Sequence, residues 1–337
     1  MKKFSGPILK LVLGISILML VLQFVDLGEV LLALSRLQPE WIAASAACFV
    51  ATRILMAIKW WGLLGGPAAS VSYATVQRAI CLSDYYGLLF PNTLAIDATR
   101  IILLRHSREG LSFMTAATLA DRVINVAMAA IVSLLAMGIL YASTGSLPFS
   151  APAAKAVSGL SFLVLFASLL VASRPATRIA IKLLRAAERA LPRFSVTQKV
   201  LMTFENVHHA MSMMLTHRST LLPAVALAFL VVLVRVASVY FLFTAIGAPQ
   251  PFLLNLALVP AIALIALLPI SLFGLGLKDG AFVFLFGAAG VAPSLALGVS
   301  LTSYAVIIGS SLVLGVLASF VGPALPKAEN PVLPEGK

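Results

Sequence analysis

Charge is what this sequence has least of. Only 11% of its 337 residues are Asp, Glu, Lys or Arg, and acidic residues number 12 against 24 basic ones. A soluble domain carries about 25% charged residues. With 61% hydrophobic residues and a mean hydropathy of +1.05, the chain cannot be a water-soluble fold. Cysteine is nearly absent: Cys48 and Cys81 alone exclude a disulfide scaffold. His106, His208, His209 and His217 show no ligand spacing, so no metal site and no other cofactor is expected. There is no Asp-x-Asp pair, no Gly-x-Ser-x-Gly and no Cys/His dyad, hence no visible glycosyltransferase, hydrolase or phosphatase constellation and no catalytic residue to name. The formal charge of +12 does not call for nucleic acid. In a membrane protein basic residues collect on the cytoplasmic side and meet anionic headgroups, and topology accounts for the excess.

What remains is apolar sequence in long runs. Pro7 to Val25 follows Lys2 and Lys3; no small-x-small cleavage site comes after it, so it reads as a retained first span with a cytoplasmic N-terminus. Leu27 to Leu37 is short and amphipathic and is placed along the outer interface. Trp41 to Leu64 is the second span. The nineteen residues from Trp41 to Trp60 cover roughly 28 Å, the thickness of the hydrocarbon layer, so both tryptophans read as interface anchors. Leu111 to Tyr141, Ala154 to Ala172, Leu221 to Ile246 and Ser294 to Val321 complete about six full spans. The loop 174–218 holds Arg174, Arg178, Lys182, Arg185, Arg189, Arg193, Lys199 and Arg218 against Glu188 and Glu205, which makes it cytoplasmic. Within it, the spacing of Arg174, Arg178, Lys182, Arg185 and Arg189 predicts an interfacial helix on the inner leaflet. Residues 1–321 then form one integral membrane domain, and the Pro-rich tail 322–337 is expected to be disordered and cytoplasmic.

Two segments do not fit simple crossings. Tyr73 to Leu104 is broken at Pro91 in Phe90-Pro91-Asn92-Thr93-Leu94, and Pro251 to Gly290 at Pro269 in Leu268-Pro269-Ile270-Ser271-Leu272. Both breaks read Pro-x-(Ser/Thr)-Leu. If the first segment enters and leaves from the cytoplasm and the second from outside, every basic loop falls inside and the two halves are inverted. Each half is then a long span with a central arginine (Arg53, Arg235), a Pro-broken re-entrant hairpin and another long span. The fold expected is an all-α polytopic membrane protein with two Pro/Gly-broken re-entrant hairpins in an inverted repeat. Paired interrupted segments of this kind point to a transporter-like site near the midplane, with the hairpin tips at Pro91, Pro269, Gly274 and Gly276 lining a cavity.

The charges inside the spans are the candidate site. Arg235 lies too deep to snorkel easily, and such residues face a cavity or a partner; Arg53 is its counterpart. Lys59 reads as a snorkelling anchor. Asp97 and Arg100 are i, i+3 and share a helix face. They are either a self-neutralised pair or a carboxylate orienting an arginine toward a lipid phosphate. Asp121 and Arg122 point about 100° apart on a helix, so each needs another partner; Asp97 with Arg122 and Asp121 with Arg100 are the candidates. Lys278 and Asp279 follow Gly274-Leu275-Gly276, whose amides could receive an anion at a half-helix N-terminus. A coupling proton on Asp97, Asp121 or Asp279 is compatible with the same pattern.

Four stretches together resemble one family: Ile58-Lys59-Trp60-Trp61-Gly62-Leu63-Leu64; Leu89-Phe90-Pro91 through Asp97-Ala98-Thr99-Arg100; Asp121-Arg122; and Leu268-Pro269 through Gly274-Leu275-Gly276-Leu277-Lys278-Asp279-Gly280-Ala281-Phe282. They are similar, in order and spacing, to the flippase-like membrane domain of lysylphosphatidylglycerol synthases, from about residue 8 to 321. The resemblance implies an inner-membrane protein that moves or binds a lipid. This chain has Ala95-Ile96 where the family carries Gly-Gly before the aspartate, and Lys278-Asp279 in place of Arg-Glu. No stretch resembles the soluble aminoacyl transferase domain, so lysyl transfer is not expected of this chain. The function expected is a lipid flippase or transporter holding an anionic or phosphate-linked headgroup with Arg53, Arg100, Arg122 and Arg235, balanced by Asp97, Asp121 and Asp279. The alternative is an accessory subunit or enzyme of lipid or polyprenyl-phosphate modification, with lipid-synthesis enzymes as partners.

Overall fold

The fold was obtained as a computed structural model describing residues 15–23, 25–88, 93–105, 107–108, 110–172, 206–207, 209–214, 217–267, 275–323 and 325. Pro91, Pro269, Gly274, the Arg174 to Arg189 face and the tail beyond 325 lie outside the described residues, as does the start of the first span.

The described elements are helical. α1 (Ile15–Leu22) turns by 92° into α2 (Leu27–Ser35), where the Asp26 carboxylate caps the new helix by accepting from the amides of Gly28 and Glu29 at 2.7 and 3.3 Å. α3 (Pro39–Leu63) opens with proline at its first position and ends before Gly65, whose φ of 112° suits glycine. α4 (Tyr73–Gly87) is capped by Ser72 and is followed by α5 (Thr93–Leu103), α6 (Gly110–Thr144), α7 (Ala151–Ala172), α8 (Arg218–Ala245), α9 (Phe252–Ala266), α10 (Leu277–Ala288) and α11 (Pro293–Phe320). Five helices, α3, α6, α7, α8 and α11, are long and apolar enough to cross a membrane, and a sixth crossing follows if α1 and α2 form one bent span. The expected all-α multi-pass architecture stands.

Both interrupted segments contribute two short helices, one on each side of residues outside the described range. α4 and α9 are each 15 residues, α5 and α10 are 11 and 12. At 1.5 Å per residue none reaches across roughly 30 Å of hydrocarbon, and the two members of each pair pack on each other. Helix starts at 39, 73, 93 and 110 in the first half answer to 218, 252, 277 and 293 in the second. The packing exchanges under the same correspondence: α4 lies against α11 as α9 lies against α6, and α3 meets α4 as α8 meets α9.

At the centre α3 and α8 run antiparallel in the most extensive helix–helix contact among the described residues. The Gln38 amide donates to the Ala245 carbonyl at 3.0 Å, Trp41 stacks on Phe241 at 5.6 Å, and the hydroxyls of Ser45 and Ser238 meet at 2.8 Å. A two-fold axis that exchanges antiparallel helices is perpendicular to them, which places it in the membrane plane, as inverted repeats require. Small residues allow the close approaches, because in lipid helices associate by packing rather than by a hydrophobic drive. A Cβ on Gly315 of α11 would fall 2.2 Å from Cβ of Tyr85 on α4, and one on Gly87 would fall 2.4 Å from Cγ1 of Ile96 on α5. The C-terminus of α11 is closed by Arg78 of α4, whose guanidinium donates to the carbonyls of Ala318, Ser319, Gly322 and Pro323.

Candidate functional site

The charged residues of the spans converge where α3, α4, α5, α6 and α8 meet. Arg53 Nε lies 2.7 Å from Asp84 Oδ2, as an ion pair without a well-aligned hydrogen bond, and its guanidinium sits 4.3 Å over the Phe49 ring. Lys59 Nζ lies 2.9 Å from Asp121 Oδ1 and donates to Asn125 Oδ1, while Asn125 Nδ2 returns a hydrogen bond to Asp121 at 3.0 Å. Asp97 is shared: Arg100 reaches one oxygen at 3.2 Å and Arg122 reaches the other. Lys59 is within electrostatic range of both Arg100 and Arg235, and Arg235 of Arg53, Asp84 and Asp121. The eight charged groups and Asn125 therefore form one network.

Arg235 differs from the rest. It is exposed although it lies well inside α8, and among the described residues no carboxylate comes within 4 Å of it. Its Nη2 rests 3.6 Å from Sδ of Met56, and Nη1 of Arg53 rests 3.3 Å from the same sulfur. Those two contacts hold the nitrogens of the two arginines within about 7 Å of each other. Arg100 also keeps a free donor: its Nε is buried with no hydrogen-bond partner among the described residues.

Several expectations change here. Lys59 is not a snorkelling anchor but 1% exposed and ion-paired, because α6 brings Asp121 and Asn125 to meet it inside the bundle. Trp60 does not face lipid as an anchor would: it is fully buried inside the protein, with Arg100 5.1 Å above its ring. Of the two partner pairs anticipated from the sequence, Asp97 with Arg122 forms, while Asp121 takes Lys59 instead of Arg100. Asp84 and Asn125 join the network without having been singled out. Their signal in the sequence was only that each is a polar residue within an apolar stretch.

In the second hairpin the Gly276 amide is not free for an anion. Gly276, at φ 78°, is the N-cap of α10, and its N–H donates to Asp279 Oδ2 at 2.8 Å, while Ser300 donates to Oδ1 at 2.6 Å. Asp279 is 1% exposed and serves as an internal cap. Lys278 donates to Ser303 at 2.6 Å and lies 4.0 Å over the Tyr304 ring. Lys278 and Asp279 thus bind α11, and no hydrogen bond or ion pair among the described residues links them to the network of the first half. The bulk of Ile96, where the family resemblance called for glycine, is accommodated by Gly87 opposite it.

A separate groove of about 480 Å³ between α2, α3 and α11 is almost wholly apolar, with Leu34, Ile42, Ala46, Leu301 and Val306 in its walls.

Comparison with known proteins agrees with the architecture. The family model described as the lysylphosphatidylglycerol synthase TM region matches residues 8–317. A UPF0104 membrane protein of Methanothermobacter thermautotrophicus is 23% identical over 318 residues, covering 90% of this chain and 86% of the relative. A UPF0104 membrane protein of Pyrococcus horikoshii is 21% identical over 316 residues, 89% of this chain and 91% of the relative.

Proposed function

The chain belongs to the family of the lysylphosphatidylglycerol synthase TM region, and on that premise we propose that it is a lipid transporter that binds an anionic or phosphate-linked headgroup near the bilayer midplane and assists its passage between leaflets. The observation that supports this reading best is Arg235: an arginine deep in a span, with no carboxylate within 4 Å among the described residues, and a second arginine facing the same sulfur. A bare cation at that depth costs ~2.5–3.5 kcal/mol on insertion scales and is retained where it meets a cavity or an ion. Guanidinium groups suit planar, multidentate binding of phosphate oxygens. The inverted halves supply the two-fold alternation that moves such a site from one leaflet to the other, and the apolar groove offers an acyl chain a dry surface. In this reading the protein sits in the bacterial-type inner membrane with both termini and loop 174–218 in the cytoplasm.

The test is a vesicle assay of leaflet exchange with a labelled anionic phospholipid. Reconstituted wild type is expected to accelerate exchange and Arg235→Ala to abolish it. Equal exchange by the two proteins, or none by either, overturns the reading.

A further inference from the structure

Two hydrogen-bond donors in the core have nothing to donate to. The indole Nε1 of Trp60, near the end of α3, and Nε of Arg100, on α5, are both buried, and neither has a hydrogen-bond partner among the described residues. Trp60 is 0% and Arg100 4% exposed, so bulk water does not serve them. The guanidinium carbon of Arg100 lies 5.1 Å from the centre of the Trp60 ring, so the two donors belong to neighbouring side chains. Neither can satisfy the other, because an indole and a guanidinium donate only. Native structures pair nearly all buried donors, and leaving one unpaired is costly, so this pair marks a place for an oxygen that accepts. An oxygen about 2.9 Å from each donor bridges groups up to roughly 6 Å apart, and the distance from guanidinium to ring is on that scale.

The surroundings favour one kind of oxygen. Arg100 Nη2 is 3.2 Å from Asp97 Oδ1, so a second anionic oxygen on the same guanidinium stands close to a carboxylate and meets its repulsion. A hydroxyl accepts from the two donors and has its own proton to give to an acceptor such as that carboxylate, whereas an ammonium has protons and no lone pair and matches neither donor. Along α3, Trp60 follows Met56 by four residues, which puts it on the same face about 6 Å further on. Met56 is the residue whose sulfur Arg53 and Arg235 share. The arginines assigned to the phosphate and the Trp60–Arg100 pair are thus set about one helical turn apart along α3, the reach of a short substituent on a phosphodiester.

Resting on the lipid-binding reading above, we propose that Trp60 and Arg100 form a subsite for a hydroxyl group, and that the lipid carries a polyol such as glycerol beyond its phosphate rather than an ammonium. Trp60 is then a specificity-determining residue, and its N–H is the atom pair that reads the headgroup.

The experiment is native mass spectrometry of the full chain in detergent, titrated with phosphatidylglycerol, phosphatidylethanol or phosphatidylethanolamine, with glycerol phosphate as a soluble competitor. Phosphatidylglycerol and phosphatidylethanol carry the same single negative charge and differ in the hydroxyls. Wild type is expected to retain phosphatidylglycerol at least tenfold better than phosphatidylethanol, and phosphatidylethanolamine no better than phosphatidylethanol. Trp60→Phe keeps an aromatic ring under Arg100 and removes the N–H; Arg100→Lys keeps the positive charge and removes Nε. Each is expected to bring the preference for phosphatidylglycerol to near unity, and Arg100→Lys supplies the reading should Trp60→Phe fail to fold. Equal retention of the lipids by wild type, or an undiminished preference in either folded variant, overturns the hydroxyl subsite while leaving the lipid-binding reading intact. Displacement by an equal concentration of glycerol phosphate overturns the lipid as the source of the hydroxyl, and absence of binding to any of the lipids overturns both.

Discussion

Arg53 and Arg235, on antiparallel helices from opposite halves of the chain, turn their guanidinium groups toward one atom, Sδ of Met56. The two residues lie inside corresponding helices, α3 and α8, but three positions out of register, Arg235 answering to Met56, and they differ in their surroundings: Arg53 has Asp84 at 2.7 Å, and Arg235 has no carboxylate within ion-pair distance among the described residues. The difference has measurable consequences.

Arg53→Ala removes the one cation that lies within 4 Å of the buried Asp84 among the described residues. Breaking a buried pair from one side costs about 3–5 kcal/mol, and both side chains are well shielded, at 14% and 10% exposure. Arg235→Ala orphans nothing. Thermal melting in detergent is expected to show a large drop for Arg53→Ala and little change for Arg235→Ala. Equal drops in the two variants would mean that Arg235 has a structural counter-charge.

Lys59 and Asp121 form the most deeply buried pair of the network, with side-chain exposures of 0% and 6%. Lys59→Met alone is expected to destabilise by about 3–5 kcal/mol, and the double variant Lys59→Met/Asp121→Leu to recover more than half of that loss, since replacing both charges removes the desolvation that either one alone leaves uncompensated. A double-mutant cycle of melting temperatures reads the coupling; additive losses would contradict it.

The tight turn-side packing of the first hairpin depends on Gly87. A Cβ there would meet Ile96 Cγ1 at 2.4 Å and Cδ1 at 3.0 Å, whereas Ile96 Cβ is at an ordinary 3.7 Å. Gly87→Ala is accordingly expected to lower stability by about 1–3 kcal/mol through overpacking, and adding Ile96→Ala to restore most of it. Failure of the second change to help would place the strain elsewhere in α4.

The sequence carried the membrane class, five of the full spans and the short paired helices of the two interrupted segments, because hydropathy acts locally: an apolar run of given length has one low-energy conformation in lipid. Proline marks a candidate break without deciding it, since Pro223 and Pro260 lie inside α8 and α9. It also carried the inversion, through the matching order of arginine, proline break and long span in the two halves. The pairing of charges was only partly legible. Asp97 with Arg122 followed from two residues that each lacked a partner on their own helix. The fates of Lys59 and Trp60 did not follow, since their distance from the end of α3 reads as an interface position, and only the packing of α5 and α6 against that end buries them. Gly276 likewise offers an amide to a ligand in sequence and loses it to Asp279 once α10 winds its first turn. What the sequence by itself determined is which helices are long and apolar enough to cross a membrane and which charges they carry. What tertiary structure alone decided is which of those charges cancel, because ion pairs are made between helices distant in the chain and their energies depend on separations of a few ångströms.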